Sequence, residues 1–406
     1  MKITKIKTFL MQAGNPTETA WSSAAQGGMS TAGARNWLFI KVYTDAGVTG
    51  IGECSGWPRV VETAVRDLER ILVGEDPTHI ERLWQRMQVA TMGHGQCGVV
   101  GYGALAGIDM ALWDIKGKAL GTPVWNLLGG KVRDTIRVYS HASSVERARE
   151  LVEKGYTAIK TGGVANPNEK LAALRSALGD DVDFLVDLHG PPWLTAADAI
   201  AMCRELEPFH PLFVEEPVAP EAVQAFRRVR EKTSVPLAAG ERQAGLWGER
   251  PLIEDGLVDV IQPDTGRSGG LTQMRKIAAL AEAHFVTVAP HAGTLGPVAE
   301  VAAVHFLASI PNALILERFE NDWEGKNKAI VSPLECSGGF IKVPDAPGLG
   351  VDIDEEFVAA HPSECNLRLP ITPGSGAYAD GTEAESIYFQ ARFRRQKYFS
   401  TKRDSK

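Results

Sequence analysis

From residue 131 to about 320 the chain repeats one unit: a short apolar run, a loop, an amphipathic stretch, and then the next apolar run. Runs of strand character fall near 136–140, 156–160, 183–187, 211–215, 235–239, 258–263, 285–290 and 312–317. Between them lie helical patterns such as SVERARELVEKG, NEKLAALRSALG, TAADAIAMCRELE and EAVQAFRRVREK. Strands that alternate with returning helices pair in parallel through right-handed crossovers. Eight such strands with seven intervening helices close into a ring. The pattern therefore predicts an α/β fold, a modified TIM barrel of the (β/α)7β type.

Six of the apolar runs end in an acid or a histidine. Asp187 ends DFLVD, Glu215 ends PLFVE, Glu241 ends PLAAGE, Asp264 ends DVIQPD, His291 ends FVTVAPH and Glu317 ends ALILE; the intervals are 28, 26, 23, 27 and 26 residues. That is the length of one strand, one helix and two loops. One acid at a strand end commonly caps a helix or forms a surface pair. Six in register predict a single site on the face where parallel strands terminate together.

The residue types say what such a site does. Asp187, Glu215 and Glu241 come from three successive strands. Three converging carboxylates repel, and each is costly to bury ionised. A hard divalent cation removes that penalty, and an all-oxygen donor set favours Mg²⁺ over Zn²⁺. Glu216 neighbours Glu215 but points to the other face by strand alternation, so it is the weaker ligand candidate. Asp264 and His291 end adjacent strands. A carboxylate on one imidazole nitrogen fixes the tautomer and raises the basicity of the other, which makes a general base. His189, two residues after Asp187 in VDLHG, shares its face of an extended chain and is a second proton-transfer group. Lys160, ending YTAIK, is a candidate to neutralise a substrate carboxylate, and Glu317 a hydrogen-bonding acid facing the substrate.

The remainder of the 406 residues is organised differently. KITKIKTF alternates like a strand, and the Gly/Ser/Thr/Ala-rich stretch from Ala13 to Arg35 reads as a loop that covers a site. NWLFIKVYT and GVTGIGEC flank Asp45-Ala46-Gly47 as a hairpin. Helical patterns follow at 59–73, 77–89 and 100–119, the second starting at Pro77-Thr78. The turn signal LLGG closes this part. Beyond Glu317 the chain is polar and loop-like, with a strand-like GGFIKVP and Pro- and Gly-rich links. It ends in the basic stretch RFRRQKYFSTKRDSK, read as a solvated tail or terminal helix. The expected divisions are 1–130, 131–320 and 321–406, the last returning to the first. A net charge of −7 argues against nucleic-acid binding. Five scattered cysteines with no C-x-x-C pair argue against a disulfide framework or zinc knuckle. No signal peptide or membrane span is evident in the sequence, so the expectation is a cytoplasmic protein without membrane partners.

Taken together, GIDMALWDIKGKALGTPVWNLLGG (107–130) and the successive VDLHG, VEEP, AGE, QPD…GG and APH elements resemble the enolase superfamily, specifically its mandelate racemase-like subgroup, over nearly the whole chain. The resemblance implies an α+β capping domain on the barrel, essential Mg²⁺, a homo-oligomer, and abstraction of a proton alpha to a carboxylate. The pairing of a Lys or His base with Mg²⁺ on an ene-diolate is general to that superfamily rather than a derivation from this chain. By motif, Asp187, Glu215 and Glu241 match its metal ligands, Asp264 and His291 its base dyad, and Glu317 its strand-eight acid. Racemases end the second strand K-x-K, with the second lysine as a base; here the chain reads Lys160-Thr161-Gly162. Glycine cannot move a proton, so two-base racemisation is disfavoured. The Asp187/His189 pair looks like acid-sugar dehydratases of the galactonate dehydratase type, in carbohydrate-acid catabolism. The expectation is a hydro-lyase that removes the proton alpha to the carboxylate of a small sugar acid and expels the 3-hydroxyl to give a 2-keto-3-deoxy acid. An epimerase or cycloisomerase through the same ene-diolate, and a catalytically silent sugar-acid-binding barrel, stay open at this point. Whether the acid is an aldonate or an aldarate also stays open. Trp21, Arg35 and Trp57 are candidates for selecting its distal end.

Overall fold

The structure, a computed structural model, describes residues 1–13, 35–92, 98–164, 166–188, 193–292, 295–320 and 325–363. His189, Trp21, most of the covering loop and the basic C-terminal stretch lie outside them. Strands β1 (Ile3–Ala13), β2 (Arg35–Thr44) and β3 (Thr49–Cys54) form one antiparallel sheet in that order. Gly47, with φ of 74°, turns the β2–β3 hairpin, a backbone state that costs glycine nothing. Helices α1 (Pro58–Leu72), α2 (Ile80–Met92) and α3 (Gly98–Ala119) pack on it. Helix α2 starts later than Pro77 suggests. The Asp76 carboxylate accepts from the Thr78 backbone and hydroxyl at 2.9 and 2.7 Å, which makes 76–79 a turn of its own. Helix α3 lies against β3 backbone to backbone: a Cβ on Gly52 would stand 1.9 Å from the Gly107 carbonyl oxygen. Only glycine permits that approach.

After a single turn, α4 (Val124–Leu127), the barrel begins. Its strands are β4 (Thr135–His141), β5 (Ala158–Gly162), β6 (Asp183–Asp187), β7 (Phe213–Glu215), β8 (Leu237–Ala239), β9 (Val260–Ile261), β10 (Thr287–Val288) and β11 (Leu316–Glu317). Between them run α5 (Val145–Glu153), α6 (Pro167–Leu178), α7 (Ala196–Leu206), α8 (Val223–Arg230), α9 (Gly245–Glu254), α10 (Leu271–Ala283) and α11 (Pro297–Ser309). Neighbouring strands from β4 to β10 pair in parallel. Strand β11 pairs in parallel with β4, and a bridge between Val288 and Ala313 closes the ring. This is the expected (β/α)7β barrel. The chain then adds β12 (Ile330–Val331), β13 (Cys336–Ser337), β14 (Phe340–Lys342), β15 (Asp352–Ile353) and α12 (Glu355–Ala359). Strand β14 runs antiparallel to β4, while α12 packs on β1, its Glu355 bonded to Lys7 at 3.0 Å and Lys41 at 2.7 Å. Among the described residues no helix is long and apolar enough to cross a membrane.

The barrel interior explains where the site sits. Tyr139, Ala158, Leu185, Phe213, Ala238, Val260, Ala289 and Ile315 form a separate buried apolar cluster, one residue from each strand or its edge. They plug the barrel. Because side chains alternate with period two, the next inward position on each strand is two residues on. Those positions are His141, Lys160, Asp187, Glu215, Gly240, Gln262, His291 and Glu317. Seven of the eight are polar, so a charged layer rests directly on an apolar floor.

Buried acids join the first sheet and its helices to this barrel. Glu53 of β3 accepts from the backbone N–H groups of Gly296, Val298 and Ala299 at the start of α11, at 2.5, 3.0 and 3.0 Å. Asp109 of α3 holds the first turn of α10 through Thr272, whose N–H and hydroxyl donate to it at 2.9 and 2.5 Å. Helix starts carry unsatisfied N–H groups and positive dipole ends, which suit a carboxylate. The run GIDMALWDIKG thus docks the cap.

Candidate active site

Lys160 stands at the centre of the charged layer, 3% exposed. Its Nζ lies 2.9 Å from Asp187 Oδ2, 2.8 Å from Glu215 Oε2 and 3.2 Å from Glu317 Oε1. Burial alone would push this ammonium down, but the three carboxylates hold it well above the ordinary lysine range. Lys160 is therefore a fixed cation inside the site and not a solvated strand-end lysine. Glu215 is fully buried; burial, and then Asp187 beside it, push its carboxyl up to about 7 against the pull of Lys160. Gln262 also donates to Glu215, at 2.9 Å.

Across the mouth, His291 Nδ1 meets Asp264 Oδ2 at 2.7 Å, and its Nε2 meets Glu241 Oε2 at 2.7 Å and Glu317 Oε2 at 3.6 Å. Burial would lower the imidazolium, but Glu241, Glu317 and the Asp264 hydrogen bond raise it to about 10. Asp264 is itself held by the Gly266 N–H, which donates to its Oδ1 at 2.8 Å. The Ser55 N–H of the capping segment donates to the Gly266 carbonyl at 3.1 Å, so the 54–59 segment abuts this rim. Trp57 in that segment is 63% exposed, and Cys54 is buried.

Glu317 links the two halves. Burial would raise its carboxyl, but Lys160, His291 and His141 hold it well below the carboxylate range. Its Oε1 accepts from His141 Nε2 at 2.8 Å, and its Oε2 accepts from the Ala292 N–H at 2.8 Å. His141 stacks on Phe319 with ring centroids 3.9 Å apart.

The structure thus brings together Lys160, Asp187, Glu215, Glu241, Asp264, His291 and Glu317; His189 lies outside the described residues. As they stand, Asp187 and Glu215 are drawn to Lys160, and Glu241 to His291 and Arg242. Among the described residues no group of three His, Cys, Asp or Glu side chains is spaced to hold a metal ion in this arrangement. The donor set is nevertheless all oxygen and over-charged. Five buried or nearly buried carboxylates, Asp187, Glu215, Glu241, Asp264 and Glu317, face one lysine and one histidine, with Arg242 and Arg267 at their edge, and Glu215 is pushed up by burial and by Asp187. Sequence reasoning missed His141, Gln262 and Arg242. Adding two to each plug residue finds His141 and Gln262.

Two glycines shape this layer. Gly240 has φ of 138°, and a Cβ there would stand 2.9 Å from the Gln262 nitrogen, so β8 turns at Gly240 and presents Glu241 instead. Gly162 pairs with Asp187 in register, and its Cβ would lie 2.2 Å from the Asp187 carbonyl oxygen. No side chain, lysine included, fits at 162 without moving β6.

Comparison with known proteins agrees with this architecture. Residues 143–357 match the enolase C-terminal domain-like family, and 15–129 match the mandelate racemase / muconate lactonizing enzyme N-terminal domain. The chain belongs to the mandelate racemase / muconate lactonizing enzyme family of the enolase superfamily. It is an enzyme, and two of its curated relatives are D-galactonate dehydratases. It is 39% identical over 378 residues to a D-galactonate dehydratase of Ralstonia pickettii (strain 12J), covering 86% of this chain and 96% of the relative. A crystal structure of the 3,6-anhydro-D-galactonate cycloisomerase from Zobellia galactanivorans is 31% identical with a TM-score of 0.79, covering 90% of this chain and 100% of that one. An enolase from Pantoea ananatis, solved with bound D-gluconate and Mg, is 30% identical with a TM-score of 0.78, covering 89% and 95%.

Proposed function

We propose that this enzyme is a Mg²⁺-dependent dehydratase of an aldonic acid, with D-galactonate as the first substrate to test. The observation that carries the reading is the placement of one histidine dyad across the mouth from Lys160, with Gly162 closing the position a second lysine base would need. Asp264 fixes the His291 imidazole so that Nε2 faces the carboxylate-lined mouth, where it takes the C2 proton. Lys160 Nζ and the hydrogen-bonded Glu317 bind and orient the substrate carboxylate on which charge develops. His189, assigned by its D-x-H spacing, delivers a proton to the departing C3 hydroxyl, which leaves as water. The resulting enol ketonises to the 2-keto-3-deoxy acid.

Asp187, Glu215 and Glu241 fit a hard cation as an all-oxygen, over-charged set, and are the residues that would hold it. When bound, Mg²⁺ supplies positive charge for the ene-diolate and relieves the pull of Glu241 on His291. The aldonate assignment is supported by the named activity of the 39% identical relatives and the gluconate in the Pantoea ananatis neighbour.

The test is turnover of a panel of mono- and di-acid sugars with Mg²⁺ in D₂O, read by proton NMR. A new methylene signal from D-galactonate or another aldonate is expected. His291→Asn is expected to abolish both that signal and C2 exchange. A product isomeric with the substrate, formed without loss of water, would replace dehydration by cycloisomerisation or epimerisation. C2 exchange at the wild-type rate in His291→Asn would overturn the base assignment.

A further inference from the structure

Arg242 follows the proposed ligand Glu241 and has no part in the reaction as drawn above. Its Nη2 lies 2.7 Å from Glu241 Oε1, while its Nε donates to Glu216 Oε2 at 2.9 Å. The guanidinium lies 5.3 Å from the centroid of the Trp193 ring. One carboxylate oxygen of Glu241 is thereby held from behind, and the other, Oε2, is the one that faces His291 in the mouth.

Glu216 shows that this contact is built rather than incidental. It is fully buried and sits at φ of 42°, in the left-handed region that a residue with a Cβ adopts at a cost. Strain of that kind persists where surrounding structure over-determines it, and it concentrates at functional sites. Consecutive residues serve opposite sides, as strand alternation places them: Glu215 enters the Lys160 cluster, while Glu216 faces the arginine. The guanidinium is suited to the task because its planar fork bonds two carboxylates at once, which a lysine ammonium does with less directional control.

We infer that Arg242, anchored by Glu216, is a positioning residue that locks the Glu241 carboxylate with one oxygen presented to the cation site. This rests on the assignment of Glu241 as a metal ligand. Outer partners that orient metal-binding carboxylates typically change metal affinity by about 10- to 100-fold when removed.

The experiment is calorimetric titration of purified full-length protein with Mg²⁺, for wild type, Arg242→Gln, Arg242→Lys, Glu216→Gln and Glu241→Gln. Thermal melting and Mg²⁺-dependent turnover are measured in parallel. Arg242→Gln is expected to weaken Mg²⁺ binding by about 10- to 100-fold, with melting lowered because the fully buried Glu216 carboxylate loses its cation. Its kcat should recover as Mg²⁺ is raised. Arg242→Lys should regain part of the affinity, and Glu216→Gln should weaken it in the same direction. A loss of kcat that saturating Mg²⁺ does not restore, with affinity unchanged, would overturn the inference. So would wild-type affinity in both Arg242→Gln and Glu216→Gln while Glu241→Gln has lost binding, and the ligand assignment would then stand. Wild-type Mg²⁺ binding in Glu241→Gln would instead remove the ligand assignment and this inference with it. Should Arg242→Gln not fold, the affinities of Arg242→Lys and Glu216→Gln decide the matter by the same criteria.

Discussion

His305, in α11, couples folding of this enzyme to pH. Its Nδ1 accepts from the Trp125 N–H at 3.2 Å, and its Nε2 donates to the Leu349 carbonyl at 3.0 Å. The ring must be neutral to accept at Nδ1, and it is fully buried, so burial pushes its pKa down to about 4 from 6.5. Between those values the unfolded chain binds a proton that the folded chain refuses. Stability from this group is therefore complete above the unfolded pKa and falls as pH falls towards 4. At about 1.4 kcal/mol per unit, the loss amounts to about 2 kcal/mol between about pH 7 and about pH 5. His305→Asn has no proton to take up. The variant should be the less stable protein at neutral pH, since two hydrogen bonds and packed volume are lost. The gap between wild type and variant should then shrink by about 2 kcal/mol on acidification to about pH 5. Urea unfolding of both proteins across that range, followed by far-UV circular dichroism, measures the gap directly. A gap that does not change with pH would refute the account.

Further predictions concern the chemistry. His189→Asn is expected to lose dehydration by roughly two to four orders of magnitude while C2 hydrogen exchange in D₂O continues; full turnover would sink its role as acid. Gly162→Ala forces a methyl against the Asp187 carbonyl and should cost about 1–3 kcal/mol in denaturant unfolding, with a fall in kcat as Asp187 is displaced. Unchanged stability and kcat in that variant would show that β5 and β6 separate freely.

Much of the site is legible in the sequence because a barrel converts period into position. Each plug residue faces inward, so the inward residue two places on is fixed by alternation alone, and Asp187, Glu215, His291 and Glu317 follow from the strand ends. The same arithmetic reaches His141 and Gln262, although neither closes its apolar run as an isolated acid. Glu241 and Asp264 are signalled by motif, yet they lie beyond the regular strands, where Gly240 and the Asp264–Gly266 turn set direction. Arg242 has no sequence signal, since nothing local says that it bonds both Glu241 and Glu216. The start of α2 differs from its sequence expectation because Pro77 suits a first helical turn and a side-chain turn at Asp76 alike.

The sequence by itself determined the barrel and the list of groups at the strand ends, because hydrophobic period and chain alternation are local properties; the cap was legible through the family resemblance. Tertiary structure alone decided which of those groups share charge: Lys160 among three carboxylates, Glu317 between two histidines, and Glu241 between His291 and Arg242. Those partners lie on different strands, and electrostatic energy depends on their distance through space and on burial from water, neither of which is written in sequence separation.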